Sequence, residues 1–246
     1  TGTVGGNATV SGTAKLRGAI LTGTFETTGT LDWESGRVDG TLNVAPAGSL
    51  LIRGNSTYHE LANGGMVNNR GTATWSEGII FRTSTDASEF PCTFYNLEGG
   101  ILDITGNNSA YLAGGRPWSM VNAGTIRKLS SGTTTIALTS FSNTAPTALI
   151  EVDAGTLILG NFNQTAGTFS LTGGNVQCSQ LLIEGGILTG NRSVIGSVTQ
   201  TGGQIQPGDG VGTMTITGSF TQSGTGVLFA ELGGRTAGTG YDQLIV

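Results

Sequence analysis

The side chains able to do acid–base or metal chemistry are few in this chain, and their spacing suits that chemistry poorly. Histidine occurs once, as His59 in Ser56-Thr57-Tyr58-His59-Glu60. A His beside a Glu can ligate a metal, but no second His and no cysteine pair at ligand spacing accompanies it. A Ser-His-Asp triad would have only this one histidine to draw on. His59 therefore reads as a solvent-facing strand or loop residue, and no metal or cofactor is expected. The carboxylates need more weighing, because hydrolysis of a sugar chain takes two or three acidic groups converging in a groove. Asp32, Glu34 and Asp39 fall in adjacent stretches, and Asp103 and Asp153 could lie close in a repeating fold. An outward Asp on a strand is ordinarily just solvated, so the expectation is no catalytic cluster.

Aromatic and arginine side chains make the better binding candidates. Tyr95, Tyr111, Arg116 and Trp118 sit in or beside two stretches that break the local pattern, Phe81–Asn96 and Asn107–Met120. Aromatic faces stack on sugar rings, and a guanidinium clamps a polar or carboxylate group. The competing reading is that these loops pack on the side of the fold and shield its strand edges. Thr133-Thr134-Thr135 and Thr213-Met214-Thr215 hint at the flat threonine ladder that binding to ice would need, but the tract is not repeated unit by unit. The two cysteines, Cys92 and Cys178, are 86 residues apart. They read as separate small apolar side chains, with a disulfide reached through the loop around Cys92 as the alternative.

The elements that must position these residues are strands and turns. Glycine accounts for 43 of 246 residues, about two and a half times its usual share, and threonine is nearly as common. Threonine's branched Cβ suits a pleated surface. Helix-forming residues are thin, and no stretch carries a sustained i, i+3, i+4 apolar stripe. Charged residues make up 11% of the chain, with a net charge of −5 and only two lysines, Lys15 and Lys128. Without a basic cluster there is nothing for nucleic acid to bind. No apolar run is long enough to span a bilayer as a helix.

The chain also repeats itself. A Gly-Thr or Gly-Ser pair followed by alternating apolar residues recurs, as in Gly29-Thr30-Leu31-Asp32-Trp33, Gly48-Ser49-Leu50-Leu51-Ile52 and Gly167-Thr168-Phe169-Ser170-Leu171. Gly29 to Gly48, Gly155 to Gly174 and Gly167 to Gly186 are each 19 residues. Such spacing predicts an all-β chain folded as a parallel β-helix, or β-solenoid, with coils of about 19–24 residues and a few loop insertions. A pair of β-sandwiches is the rival, but it would call for hairpin turns every 8–12 residues or so. The alternation places Leu31 and Trp33, Leu42 and Val44, Leu50 and Ile52, Leu102 and Ile104, Leu157 and Leu159, Phe169 and Leu171, and Met214 and Ile216 inside. Asp32, Asn43, Asp103, Ser170 and Thr215 should face solvent. Trp33 and Trp75 look large for a narrow column, so one or both are expected at a corner or on the surface. A milder break falls at Thr144–Ile150, and no linker divides residues 1–246, which read as one continuous domain.

The closing stretch carries a family likeness. Gly212-Thr213-Met214-Thr215-Ile216-Thr217-Gly218-Ser219-Phe220-Thr221-Gln222, followed by Glu231-Leu232-Gly233-Gly234 and Gly238-Thr239-Gly240-Tyr241-Asp242-Gln243-Leu244, resembles autotransporter-passenger repeats of large bacterial surface proteins. Phe220 stands where those repeats frequently have Tyr. The resemblance implies a right-handed single-stranded parallel β-helix that acts as a stalk, spacer or adhesin-like segment, extracellular or at the cell surface. It carries over no catalytic residue. The chain starts Thr1-Gly2-Thr3-Val4 without a Met, and Tyr241–Val246 reads as a strand awaiting its next rung, so a piece of a longer rod is expected. Expected partners are neighbouring β-helix segments or identical subunits end to end, and glycans, with no nucleic acid and no membrane insertion. A polysaccharide-binding or polysaccharide-degrading β-helix protein is the alternative.

Overall fold

The computed structural model describes residues 2–54, 58–82, 90–112 and 117–246, with the backbone alone for 81, 82, 111 and 112. Short strands, mostly of four residues, wind into about ten turns of a parallel β-solenoid with coils of about 21 residues. Each full coil has three faces. The first face is an 11-stranded ladder running from Thr13–Leu16 through Thr30–Trp33, Ser49–Ile52 and Thr72–Trp75 to Val227–Leu228. The second face includes Tyr58–Leu61, Thr133–Ala137 and Thr156–Leu159, and the third includes Met66–Asn69, Cys92–Asn96, Trp118–Asn122 and Ser140–Asn143. These two form a single 21-stranded sheet, because Asn175–Ile183 and Ser193–Gln200 each run across both faces. All pairings between the named strands are parallel. In-register partners are 17 residues apart at Thr13 and Thr30, and 29 apart at Thr72 and Ile101. The lengthened coil from Thr72 to Ile101 contains the break at 81–96 that the sequence shows.

Packing explains the Gly-Thr pair. The glycine is the last residue before a first-face strand, and its Cα lies against the backbone of the coil below. A Cβ on Gly29 would stand 2.2 Å from the Gly12 carbonyl oxygen. At Gly167, where φ is also +69°, it would stand 2.3 Å from the Ala148 oxygen. A Cβ is poorly accommodated at that corner, so the motif recurs before most first-face strands, with Ala148 taking the equivalent place before Leu149–Val152. The corner between Ala62 and Gly65 uses Asn63, the one described non-glycine residue with positive φ, at 51°.

Inside, one apolar column runs from Leu16 to Ile216. Every residue pair placed inside by the alternation is buried. Trp33 and Trp75 are buried as well, contrary to the expected corner or surface position. They alternate with smaller neighbours, since Ile52 stacks between them and Ile104 follows Trp75. Ala73 in the adjoining column leaves room beside the second indole.

A second inner column is polar. Asn69, Asn96, Asn122, Asn143 and Gln164 occupy successive coils at the end of the third face, all fully buried. The Nδ2 of Asn69 donates to Asn96 Oδ1, that of Asn96 to Asn122 Oδ1 and that of Asn122 to Asn143 Oδ1, each at 2.8 Å. Asn143 continues to Gln164 Oε1 at 3.3 Å. The same amide nitrogens donate to backbone carbonyls at the start of the adjoining first-face strands, at Ile101, Thr125, Leu149 and Thr168. Buried amides need such partners, and the carbonyls beside the corner supply them.

Candidate functional site

Of the acidic residues singled out by sequence, Asp32, Glu34 and Asp39 lie on the outer surface of the N-terminal coils and Asp103 on a middle coil, each paired with a cation, whereas Asp153, further along, accepts from the Thr172 hydroxyl at 2.6 Å. Asp32 points outward from the first face, yet it is only 1% exposed. Arg53, one coil on, covers it with two parallel bonds, Nε to Oδ1 at 2.8 Å and Nη2 to Oδ2 at 2.7 Å. Lys15 adds a contact of 3.5 Å. Glu34 accepts from Lys15 at 2.7 Å and from the Arg17 guanidinium. The Arg53 bonds hold the Asp32 carboxyl below the usual carboxylate range, and Lys15 and Arg17 do the same for Glu34. Asp39 is held by Arg37 at 2.6 Å and Asn63 at 2.8 Å. Asp103 takes two 2.7 Å bonds from Arg127, again one coil along. A general acid needs a raised pKa and an oxygen free to meet substrate, whereas these are neutralised ion pairs. Glu151, on the next coil beyond Arg127, is shifted up by burial and by Asp153.

Asp32 and Ser170 therefore depart from the expectation that they face solvent, since both are buried. Asn43, Asp103 and Thr215 are partly exposed. His59 is a clearer correction. It points inward in phase with Leu61 and is fully buried. Its Nε2 lies 2.8 Å from the Trp33 carbonyl oxygen and 3.2 Å from that of Arg53, and its ring meets the Trp33 indole edge-on. Burial lowers its pKa, so it is a neutral core side chain. Among the described residues no three of His, Cys, Asp and Glu come together as metal ligands. No disulfide joins Cys92 and Cys178; both are buried, and burial pushes the Cys178 thiol up to about 11.

The loop-centred binding set is not assembled at one place. Tyr95 is half-buried at an outward position of the third face, in register with Asn68 and Val121. The backbone of Tyr111 lies on the second face between Phe81 and Ala137, and its side chain lies outside the described residues, as does all of Arg116. Trp118 corrects the expectation outright. It sits in register with Cys92, its ring turned into the core at 0% exposure, so no face is left for an outside ligand. After Pro117 the chain re-enters the strand alternation, and Trp118 takes the inward phase shared with Met120.

Two features were missed by sequence reasoning. One is Lys128, which occupies an inward position in the column of Trp75 and Ile104. Its Nζ donates to the Ser130 hydroxyl at 2.7 Å, to the Gly132 carbonyl at 3.0 Å and to the Ser130 carbonyl. Its strand alternation with Ile126 was the available signal. The other is a groove of about 340 Å³ on the third face, lined by Ser140, Ser142, Asn161, Asn163, Gln180 and Leu182 above Phe141 and Phe162. No single residue announces it, because its lining comes from three successive coils.

Comparison with protein-family models, with curated proteins and with solved structures found no match. What the chain shows of itself is its architecture, an all-β parallel β-solenoid of about ten turns.

Proposed function

We propose that this chain is a structural, adhesive-type β-solenoid segment of the autotransporter-passenger kind, which holds a fixed distance outside the cell as a spacer or stalk. The observation that supports this best is the unbroken axial column: the 11-stranded first ladder and the apolar interior run together from the first coils to the last. Stacked coils of this sort share load through neighbouring ladders, with each coil stabilised by the two it touches. The partner is further β-solenoid, either adjoining coils or a second copy end to end. At one edge Val10, Ala14, Leu16, Leu21, Phe25 and Leu31 line an apolar pocket of about 180 Å³. At the other, Val227, Leu228 and Phe229 are half-exposed and Leu232 is 84% exposed. Unpaired strand edges of this kind accept another strand.

A polysaccharide-cleaving enzyme is the rival reading, and the ion-paired Asp32, Glu34 and Asp103 speak against it. The test is to incubate the purified protein with neutral and acidic polysaccharides and assay for new reducing ends and for unsaturated products. The spacer reading expects neither. Scission of any chain, lost on substitution of a carboxylate, would overturn it.

A further inference from the structure

The groove on the third face is a second feature, independent of the rod. Its outward positions read Ser140, Asn161 and Gln180 in one column and Ser142, Asn163 and Leu182 in the other. Coils follow one another at about 4.8 Å, so polar groups recur along the axis at that interval. No charged side chain lines the groove. Part of its hydrogen-bonding capacity is spent within the protein. Ser140 donates to the Ser119 hydroxyl at 2.9 Å, Gln180 to Thr199 at 3.1 Å, and Asn163 Nδ2 to Glu184 at 2.7 Å. The remainder is unspent. Asn163 Oδ1 is buried and has no donor, and among the described residues nothing bonds the Asn161 amide or the Ser142 hydroxyl. A buried acceptor left without a donor is costly, and a ligand that supplies one recovers that cost. Between the polar groups the partly exposed Leu182 offers apolar surface, while the Phe141 and Phe162 rings beneath the groove floor are buried in the core.

We infer that this groove binds a linear, neutral polysaccharide chain lying along the solenoid axis. The occupant must be uncharged, since no Arg or Lys stands in the lining to neutralise an anion. It must carry donors and acceptors at short regular intervals, together with an apolar face that suits the partly exposed Leu182 side chain. A chain of pyranose rings has both properties. A peptide fits less well. Peptides join sheets through unpaired backbone at an edge, and the backbone of Phe141–Asn143 is already committed to ladders on both sides. The site is distinct from the loop aromatics, and it stands or falls separately from the spacer reading.

The test is calorimetric titration of the full chain with linear hexamers of β-1,4-linked glucose, xylose and mannose, alongside a hexamer of galacturonate. Saturable binding of at least one neutral hexamer is expected, with the acidic hexamer weaker. Asn161→Ala and Ser142→Ala together should weaken it about tenfold, as the loss of two ligand hydrogen bonds implies. Neither side chain bonds within the protein, so circular dichroism and melting should be unchanged. Asn43→Ala, on the same face several coils away, should bind normally. Absence of binding to all three neutral hexamers at millimolar concentration would overturn the proposal. So would tighter binding of galacturonate, or an affinity untouched by the double substitution.

Discussion

Replacing Asn122 with alanine tests whether the buried amide column holds the third corner of the solenoid. Asn122 Nδ2 donates to Asn143 Oδ1 at 2.8 Å and to the Leu149 carbonyl at 3.0 Å, while its Oδ1 accepts from Asn96 at 2.8 Å. In Asn122→Ala the Asn96 amide keeps the Thr125 carbonyl, but Asn143 Oδ1 loses its donor in a fully buried site. One orphaned acceptor costs about 1–3 kcal/mol. The cavity left by the amide group adds about 1 kcal/mol, so the expected loss is about 2–4 kcal/mol. Asn43→Ala is the control, because Asn43 accepts from Asn68 in the same geometry, at 2.9 Å, on the partly exposed outer face. Its cost should stay within about 0.5 kcal/mol. Urea unfolding followed by both circular dichroism and tryptophan fluorescence measures the difference, and coincidence of the two probes checks that the array unfolds as a unit. Adding Asn143→Ala removes the orphan, so the double variant should be less damaged than the sum of the singles by about 1 kcal/mol or more. Strict additivity, or equal costs for Asn122→Ala and Asn43→Ala, would refute the reasoning.

Gly124→Ala should be far more damaging than Gly99→Ala in the same unfolding assay. A Cβ at Gly124 meets the Gly100 oxygen at 2.2 Å, whereas Gly99 has open space and only its φ of +79° to resist substitution, a cost of about 1–2 kcal/mol. Arg53 lowers the Asp32 pKa, so the ionised group stabilises the fold above its unfolded-chain value, and that stability is lost as pH falls through the lower folded value. Asp32→Asn should therefore flatten the fall in melting temperature below about pH 4. Burial lowers the Lys128 pKa, so the unfolded chain holds that proton more tightly and stability should rise as pH climbs from the folded value toward about 10.4. Lys128→Met should abolish that rise and leave neutral-pH stability equal or higher; an unchanged alkaline slope would contradict the shift.

The solenoid was legible in the sequence for a definite physical reason. Glycine recurs because the corner before most first-face strands, as at Gly29 and Gly124, has no room for a Cβ, and the two-residue alternation after it is the strand itself. What stayed hidden depends on neighbours one coil away in space but 17 to 30 residues away in the chain. Asp32 reads as a solvated outward carboxylate until Arg53 is known to lie directly above it. The amides of Asn69, Asn96 and Asn122 stand out only once aligned, although each precedes the corner glycine by two to four residues, at Gly71, Gly100 and Gly124. His59 could have been placed from its phase with Leu61. Trp118 was misjudged because Pro117 marks a break, and alternation resumes with the very next residue. The groove required knowing which outward positions of three coils align, and variable coil lengths conceal that alignment.

The most direct test of the axial-column account is a distance between spin labels introduced at Thr13 and Gln204, both on the first face. These strands are nine rungs apart, which at about 4.8 Å per rung gives about 43 Å between backbones. The account predicts a narrow distribution centred near that value. A distribution centred at less than half of it, or spread broadly with no dominant distance, would contradict a stiff solenoid that holds its two ends apart.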